Sequence, residues 1–292
     1  MTKKNSKYPA DNTEAEQVLS EKKLFLLDMD GTLYIDDYLF ERVLDFLNYI
    51  KSRGGRYAFL TNNSSRGVET YISKMKNLGI DTCKEDYLTS VDALMVFLKE
   101  KYGKDAFKKK LYIMGTKSFK EQMKEEGFII VENPFNDVCE SQVEGKIDAV
   151  ILGFDRELTF SKIEEVCILL KNDVDYFATN PDWVCPTSYG AVPDCGSFAW
   201  MIQKATGKSP KFIGKPEPDM ALLAMKKYGF SSDQTVLIGD RLYTDIACGV
   251  NAGIDTIFVL SGEGTLQDLE TSPAKPKLIC KDVDEILRIM EH

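Results

Sequence analysis

The stretch 24-LFLLDMDGT-32 places the first demand on any fold this chain adopts. A short, unbroken apolar run suits a strand buried on both faces of a parallel sheet. This one ends on two aspartates separated by a single methionine, and a Gly-Thr pair then turns the chain. Burying carboxylates is costly unless other groups compensate them. The rest of the sequence must therefore deliver partners to that strand end.

Beyond it the pattern alternates between strand and helix. Val43, Phe46, Leu47 and Ile50 repeat at helical spacing before Gly54-Gly55, and RYAFLTNNSS reads as a second strand. A helix with Val68, Tyr71, Ile72 and Met75 on one stripe follows. The alternation resumes with 212-FIGKPEPDM-220, 235-TVLIGDRLYTDI-246, IDTIFVL at 254–260 and PKLIC at 276–280. Such alternation predicts right-handed crossovers and a parallel sheet covered by helices.

Between the two blocks, LYIM, a helix near 117–126, DAVILG and a helix carrying Ile163, Val166, Cys167 and Leu170 predict a smaller α/β domain. The expected organisation is a polar tail over 1–20, either mobile or a loosely docked helix, a core over 21–104 and 209–292, and an inserted domain over 105–208. The apolar stripe Phe198, Met201, Ile202 and Ala205 is expected to lie in the core rather than in a cofactor site.

Composition removes several classes of function. Against 46 acidic residues there are 37 basic ones, a net charge of −9, which opposes general binding to nucleic acid. Neither an apolar leader segment nor a run of about 18 apolar residues is present, so no membrane span and a cytoplasmic location are expected. Seven cysteines without a C-x-x-C fit reduced thiols. The only histidine is His292. Ser-His-Asp chemistry, Cys-His chemistry and imidazole-based zinc sites are thereby disfavoured, and acid-base work falls to carboxylates, lysine or tyrosine.

Ligands of open parallel sheets bind outside the carboxyl ends of the strands. Asp28 and Asp30 follow LFLL, Thr61 and Asn62 follow YAFL, Asp240 follows VLIG, and Lys215 follows FIG. If those ends meet, Asp28 and Asp240 repel each other unless a hard divalent cation lies between them. Oxygen ligands without imidazole favour Mg²⁺. Lysine and backbone N–H groups could then hold a phosphoryl dianion for attack by one aspartate, with another moving the proton.

The stretches 28-DMDGT-32, 61-TNNSS-65, 214-GKPEP-218 and 239-GDRLYTD-245 closely resemble the four ordered motifs of the haloacid dehalogenase superfamily. The position of the insertion, with TNNSS and GKPEP, resembles the NagD-type or p-nitrophenylphosphatase branch, and the likeness extends over nearly all the chain from about residue 22. The resemblance implies a Rossmann-like α/β core with an inserted C2-type cap that excludes water. It also implies Mg²⁺-dependent hydrolysis of small phosphate monoesters, such as nucleoside monophosphates or sugar phosphates, through an aspartyl-phosphate.

By the same resemblance Asp28 is the nucleophile and Asp30 the general acid, then base. Thr61, Asn62 and Asn63 hold phosphoryl oxygens, and Lys215 offsets charge between phosphate and nucleophile. The Mg²⁺ ligands are Asp28, the Asp30 carbonyl and Asp240, with Asp245 orienting a bound water. In the cap, Asp182 and Trp183 are candidate contacts to the leaving group. The implied partner is a small phosphorylated metabolite, and a homodimer stays open. A phosphotransferase and a non-catalytic phosphometabolite sensor are the alternative readings.

Overall fold

The computed structural model describes residues 12–135, 147–187 and 189–292. Two compact units emerge. The first takes the chain up to Thr61, then Tyr71–Leu88 and Lys215–His292; the second takes Asn62–Thr70 and Thr89–Gly214. Helix Ser90–Tyr102, which the sequence places in the core, groups with the second unit.

The first unit contains a six-stranded sheet in the order Leu278–Cys280, Asp255–Val259, Thr235–Gly239, Leu24–Leu27, Arg56–Thr61, Tyr87–Thr89. Leu24–Leu27 pairs in parallel with both neighbours, Leu24 lying opposite Thr235 on one side and Arg56 on the other. All four of its residues are buried, which accounts for the unbroken apolar run. Strand order reverses at this strand, since later strands lie on both sides of it. An α/β sheet leaves its ligand crevice at such a reversal.

Helix Val43–Ser52 buries Val43, Phe46, Leu47 and Ile50, as their spacing requires. Within the expected tail, Asn12–Ser20 is a helix that packs on Val283–Glu291 and buries Ala15 and Leu19. Those two residues are one helical turn apart, and they are enough to dock an otherwise polar segment. Residues 1–11 lie outside the described residues.

The second unit carries a five-stranded parallel sheet in the order Lys211–Phe212, Asp175–Ala178, Ala149–Leu152, Lys110–Met114, Ile129–Ile130. Its core gathers Met114, Leu152, Val166, Leu169, Phe198 and Ile202, whereas Met201 and Ala205 of the expected stripe are exposed. One expectation is corrected here. The FIG run does not join the first sheet, because Phe212 pairs with Ala178 in the second. A two-residue strand holds too little pattern to select its sheet.

Six cysteines are described and all are free thiols. No helix among the described residues is long and apolar enough to cross a membrane. Leu26 is fully buried in the central strand of the first sheet. Leu26→Ala should lower the unfolding free energy by about 2–5 kcal/mol in urea titration, whereas Leu222→Ala, at 45% exposure, should cost far less.

Candidate active site

Two adjacent strands of the first sheet end in the residues that matter. Asp28 follows Leu27 and its amide donates to the Ile238 carbonyl at 2.9 Å; Asp240 follows Gly239 on the neighbouring strand. The chain then forms one π-helical turn over Leu242–Ile246, with the Ile246 amide reaching the Arg241 carbonyl at 3.1 Å. That wide turn returns Asp245 towards its own strand, where the Arg241 amide donates to Asp245 Oδ2 at 3.1 Å. A Cβ on Gly239 would stand 2.3 Å from the Asp245 Cβ, so only glycine permits this return.

Asp28, Asp240 and Asp245 are all buried, and each offers a carboxylate oxygen within 4.8 Å of the others. Lys215, also buried, answers two of them. Its Nζ donates to Asp28 Oδ1 at 2.5 Å, to Asp245 Oδ1 at 2.6 Å and to the Leu60 carbonyl at 3.2 Å. Asp240 is held differently: the Glu263 amide donates to its Oδ2 at 2.7 Å, while its buried Oδ1 has no hydrogen-bond partner among the described residues.

These surroundings set the ionisation. Burial, reinforced by Asp245, pushes the Asp28 carboxyl well above its ordinary range, and Lys215 only partly opposes it. Burial and Asp245 raise Asp240 to about 6. Burial alone would lower the Lys215 ammonium, but Asp245 and Asp28 outweigh it and hold the lysine charged. The burial and mutual repulsion that raise Asp28 and Asp240 are what a bound cation would offset. A divalent cation has the complementary charge, an all-oxygen site suits a hard one, and Asp240 Oδ1 is a buried acceptor with nothing among the described residues donating to it. The residues fit such an ion.

Asp30 stands apart from this cluster. Its side chain is 44% exposed, with Lys74 Nζ 3.7 Å away, and Gly31 beside it turns the chain at φ +86°. A Cβ at Gly31 would meet Asp240 Oδ2 at 2.5 Å. Thr61, the last residue of its strand, is buried.

The second unit holds the remaining candidates. The Asn62 side chain donates from Nδ2 to Asp182 Oδ2 at 3.0 Å. Asn63 Oδ1 accepts from both the amide and the hydroxyl of Ser65. Asp182 is 3% exposed, while Trp183 is 52% exposed and so does not pack beneath the unit's surface.

Sequence reasoning missed the loop Ser261–Gly264, whose Glu263 amide holds Asp240 and whose Ser261 Oγ donates to the Gly31 carbonyl at 2.8 Å. The signal was available, since a polar, glycine-rich SGEG follows the IDTIFVL strand just as the other candidate loops follow theirs. Lys74 was missed as well. Nothing in the sequence of its helix distinguishes it from the neighbouring Lys76.

Comparison with known proteins agrees with this arrangement. The haloacid dehalogenase-like hydrolase family profile matches residues 25–129, and a HAD-hydrolase-like profile matches 212–286. A 4-nitrophenylphosphatase from Thermotoga maritima is 36% identical, with a TM-score of 0.83 over 94% of this chain and 99% of that one. An acid sugar phosphatase from Staphylococcus aureus is 28% identical over 94% of this chain and all of its own length. A glycerol phosphate phosphatase from Mycobacterium tuberculosis, in complex with magnesium, is 25% identical with a TM-score of 0.81, over 92% of this chain and 77% of that one. The chain belongs to the haloacid dehalogenase-like hydrolases.

Replacing Lys215 by methionine would leave Asp28 and Asp245 buried with no ammonium between them. Lys215→Met should cost about 3–5 kcal/mol of stability in urea titration without divalent cations, the usual penalty for removing one partner of a buried pair.

Proposed function

We propose that this protein hydrolyses small-molecule phosphate monoesters with Asp28 as the nucleophile. The observation that carries the reading is the buried cluster at the sheet's reversal. Asp28 is fixed there by Lys215, beside an Asp240 oxygen left open to a cation. The named activities of the similar proteins, on 4-nitrophenyl, sugar and glycerol phosphates, support the same reaction class.

Asp28 and Asp240 would bind Mg²⁺ with the Asp30 main-chain carbonyl, and Asp245 would orient its water. The ion supplies neutralising charge for the phosphoryl oxygens. The chain's own groups do the rest. An Asp28 oxygen attacks phosphorus and the ester P–O bond breaks, while Asp30 passes its proton to the departing oxygen. Water then attacks the aspartyl-phosphate as Asp30 takes back a proton, and cleavage of the acyl phosphate P–O bond frees phosphate and restores Asp28.

Asp30 is suited to carrying protons because its side chain is partly exposed, unlike the other three aspartates. Thr61 would hold a phosphoryl oxygen together with the amides of Asn62 and Asn63. Lys215 already lies against the nucleophile and would offset phosphoryl charge there.

Phosphate release from p-nitrophenyl phosphate with Mg²⁺ tests this directly. Asp28→Asn should reduce turnover at least about 10³-fold without loss of fold, a size in keeping with removal of a covalent nucleophile. Near-native rates in that variant would overturn the mechanism.

Asp30→Asn should slow esters with alkyl leaving groups more than p-nitrophenyl phosphate, by about 10²-fold or more, because only the poor leaving group needs its proton. Equal slowing of both esters would remove Asp30 from the acid's role.

A further inference from the structure

The two units exchange chain at four places, and three of them meet at one set of hydrogen bonds inside the second unit. The exchanges fall at Thr61/Asn62, Leu88/Thr89 and Gly214/Lys215, with the fourth at Thr70/Tyr71. Asn62 is the hub. Its carbonyl accepts from Ser90 Oγ at 2.8 Å and from Asn180 Nδ2 at 2.9 Å, and its Nδ2 donates to Asp182. Asn180 Oδ1 accepts from the Asp182 amide at 3.0 Å, so the two partners of Asn62 are tied to each other.

The third exchange is held at the same place. The Gly214 amide donates to the Thr179 carbonyl at 2.8 Å. A Cβ on Gly214 would lie 2.5 Å from that carbonyl oxygen and 2.6 Å from Asn62 Oδ1. Gly214 therefore lies flat against the Asn62 side chain. Asn62, Ser90, Asn180 and Asp182 are all buried, so the bonds have little competition from water. The residue before Asn62 is Thr61, and the residue after Gly214 is Lys215.

We propose that Asp182 is a positioning residue rather than a contact to substrate. Its carboxylate fixes the Asn62 side chain, and through Asn62 and Gly214 it sets the chain ends that carry Thr61 and Lys215. This inference rests on the phosphatase reading for its effect on rate. Displacing a catalytic group by about 1 Å can cost about 100-fold, so losing the hub should be visible in kcat.

The test compares kcat and KM for p-nitrophenyl phosphate and for glycerol phosphate in four variants, beside hydrogen exchange of the amides around 61–63 and 213–215. Asp182→Ala should lower kcat about 10- to 100-fold, by the same factor for both esters, and speed exchange at both segments. Asp182→Asn keeps an acceptor for Asn62 and should recover most of the rate. Asn62→Asp sets two carboxylates face to face and should lose rate, and adding Asp182→Asn to it should restore the bond with donor and acceptor reversed.

A loss confined to glycerol phosphate and expressed in KM would identify Asp182 as a hydroxyl acceptor and overturn the proposal. So would unchanged exchange, or a reversed pair no better than Asn62→Asp alone. If Asp182→Ala does not fold, the reversed pair and Asp182→Asn decide the question. A wild-type protein that releases no phosphate would refute the phosphatase reading, while the exchange measurement would still report on the hub.

Discussion

The ion cluster of Asp28, Asp245 and Lys215 is the constraint around which the first unit is arranged. Each charge taken from water costs several kcal/mol, recovered only when geometry and remaining hydrogen bonds are both good. Lys215 Nζ satisfies two carboxylates and a carbonyl at once. Asp28 comes from a strand end and Asp245 from a π-helical turn that sends its side chain back to the neighbouring strand. The ammonium is the group that lets these two acids share a buried site.

Asp240 follows a different rule. Its compensation comes first from the Arg241 charge and then from the Glu263 amide, ahead of Lys215, and that amide engages only one of its oxygens. The glycines at 31 and 262 allow close approach: a Cβ on either would fall within 2.5 Å of Asp240 Oδ2. Backbone thus encloses one side of the carboxylate and leaves the other oxygen as an unsatisfied acceptor. A fold selected for stability alone would gain by satisfying it. Its retention fits a site that receives its last partner from solution.

Much of this was legible in the sequence because buried parallel strands leave a plain signal. LFLL and TVLIG are continuous apolar runs, and a charged residue directly after such a run has few structural reasons to be there. Phe212 was placed in the wrong sheet because two residues of strand hold no information about their neighbours. The motifs mark Asn62 and Asp182 as site residues but give no sign that they meet. The bond between them joins residues 120 positions apart, which no local pattern encodes. The helix at Asn12–Ser20 agrees with the docked-helix reading of the tail, and it docks on two apolar side chains.

The placement of the hub has a consequence for how the two units can vary. Thr61 and Lys215 belong to the first unit, yet each is one peptide bond from a residue fixed in the second. Strand pairing alone cannot set the ends of these segments, since Arg56–Thr61 stops at Thr61 and Lys211–Phe212 stops two residues before Gly214. Beyond the strands, backbone bonds to Ala178 and Thr179 hold Ile213 and Gly214, while Ser90, Asn180 and Asp182 hold Asn62. The surface of the second unit, including the exposed Trp183, can change without disturbing them. Thr179, Asn180, Asp182 and Gly214 differ, because their hydrogen bonds act on the residues that adjoin Thr61 and Lys215.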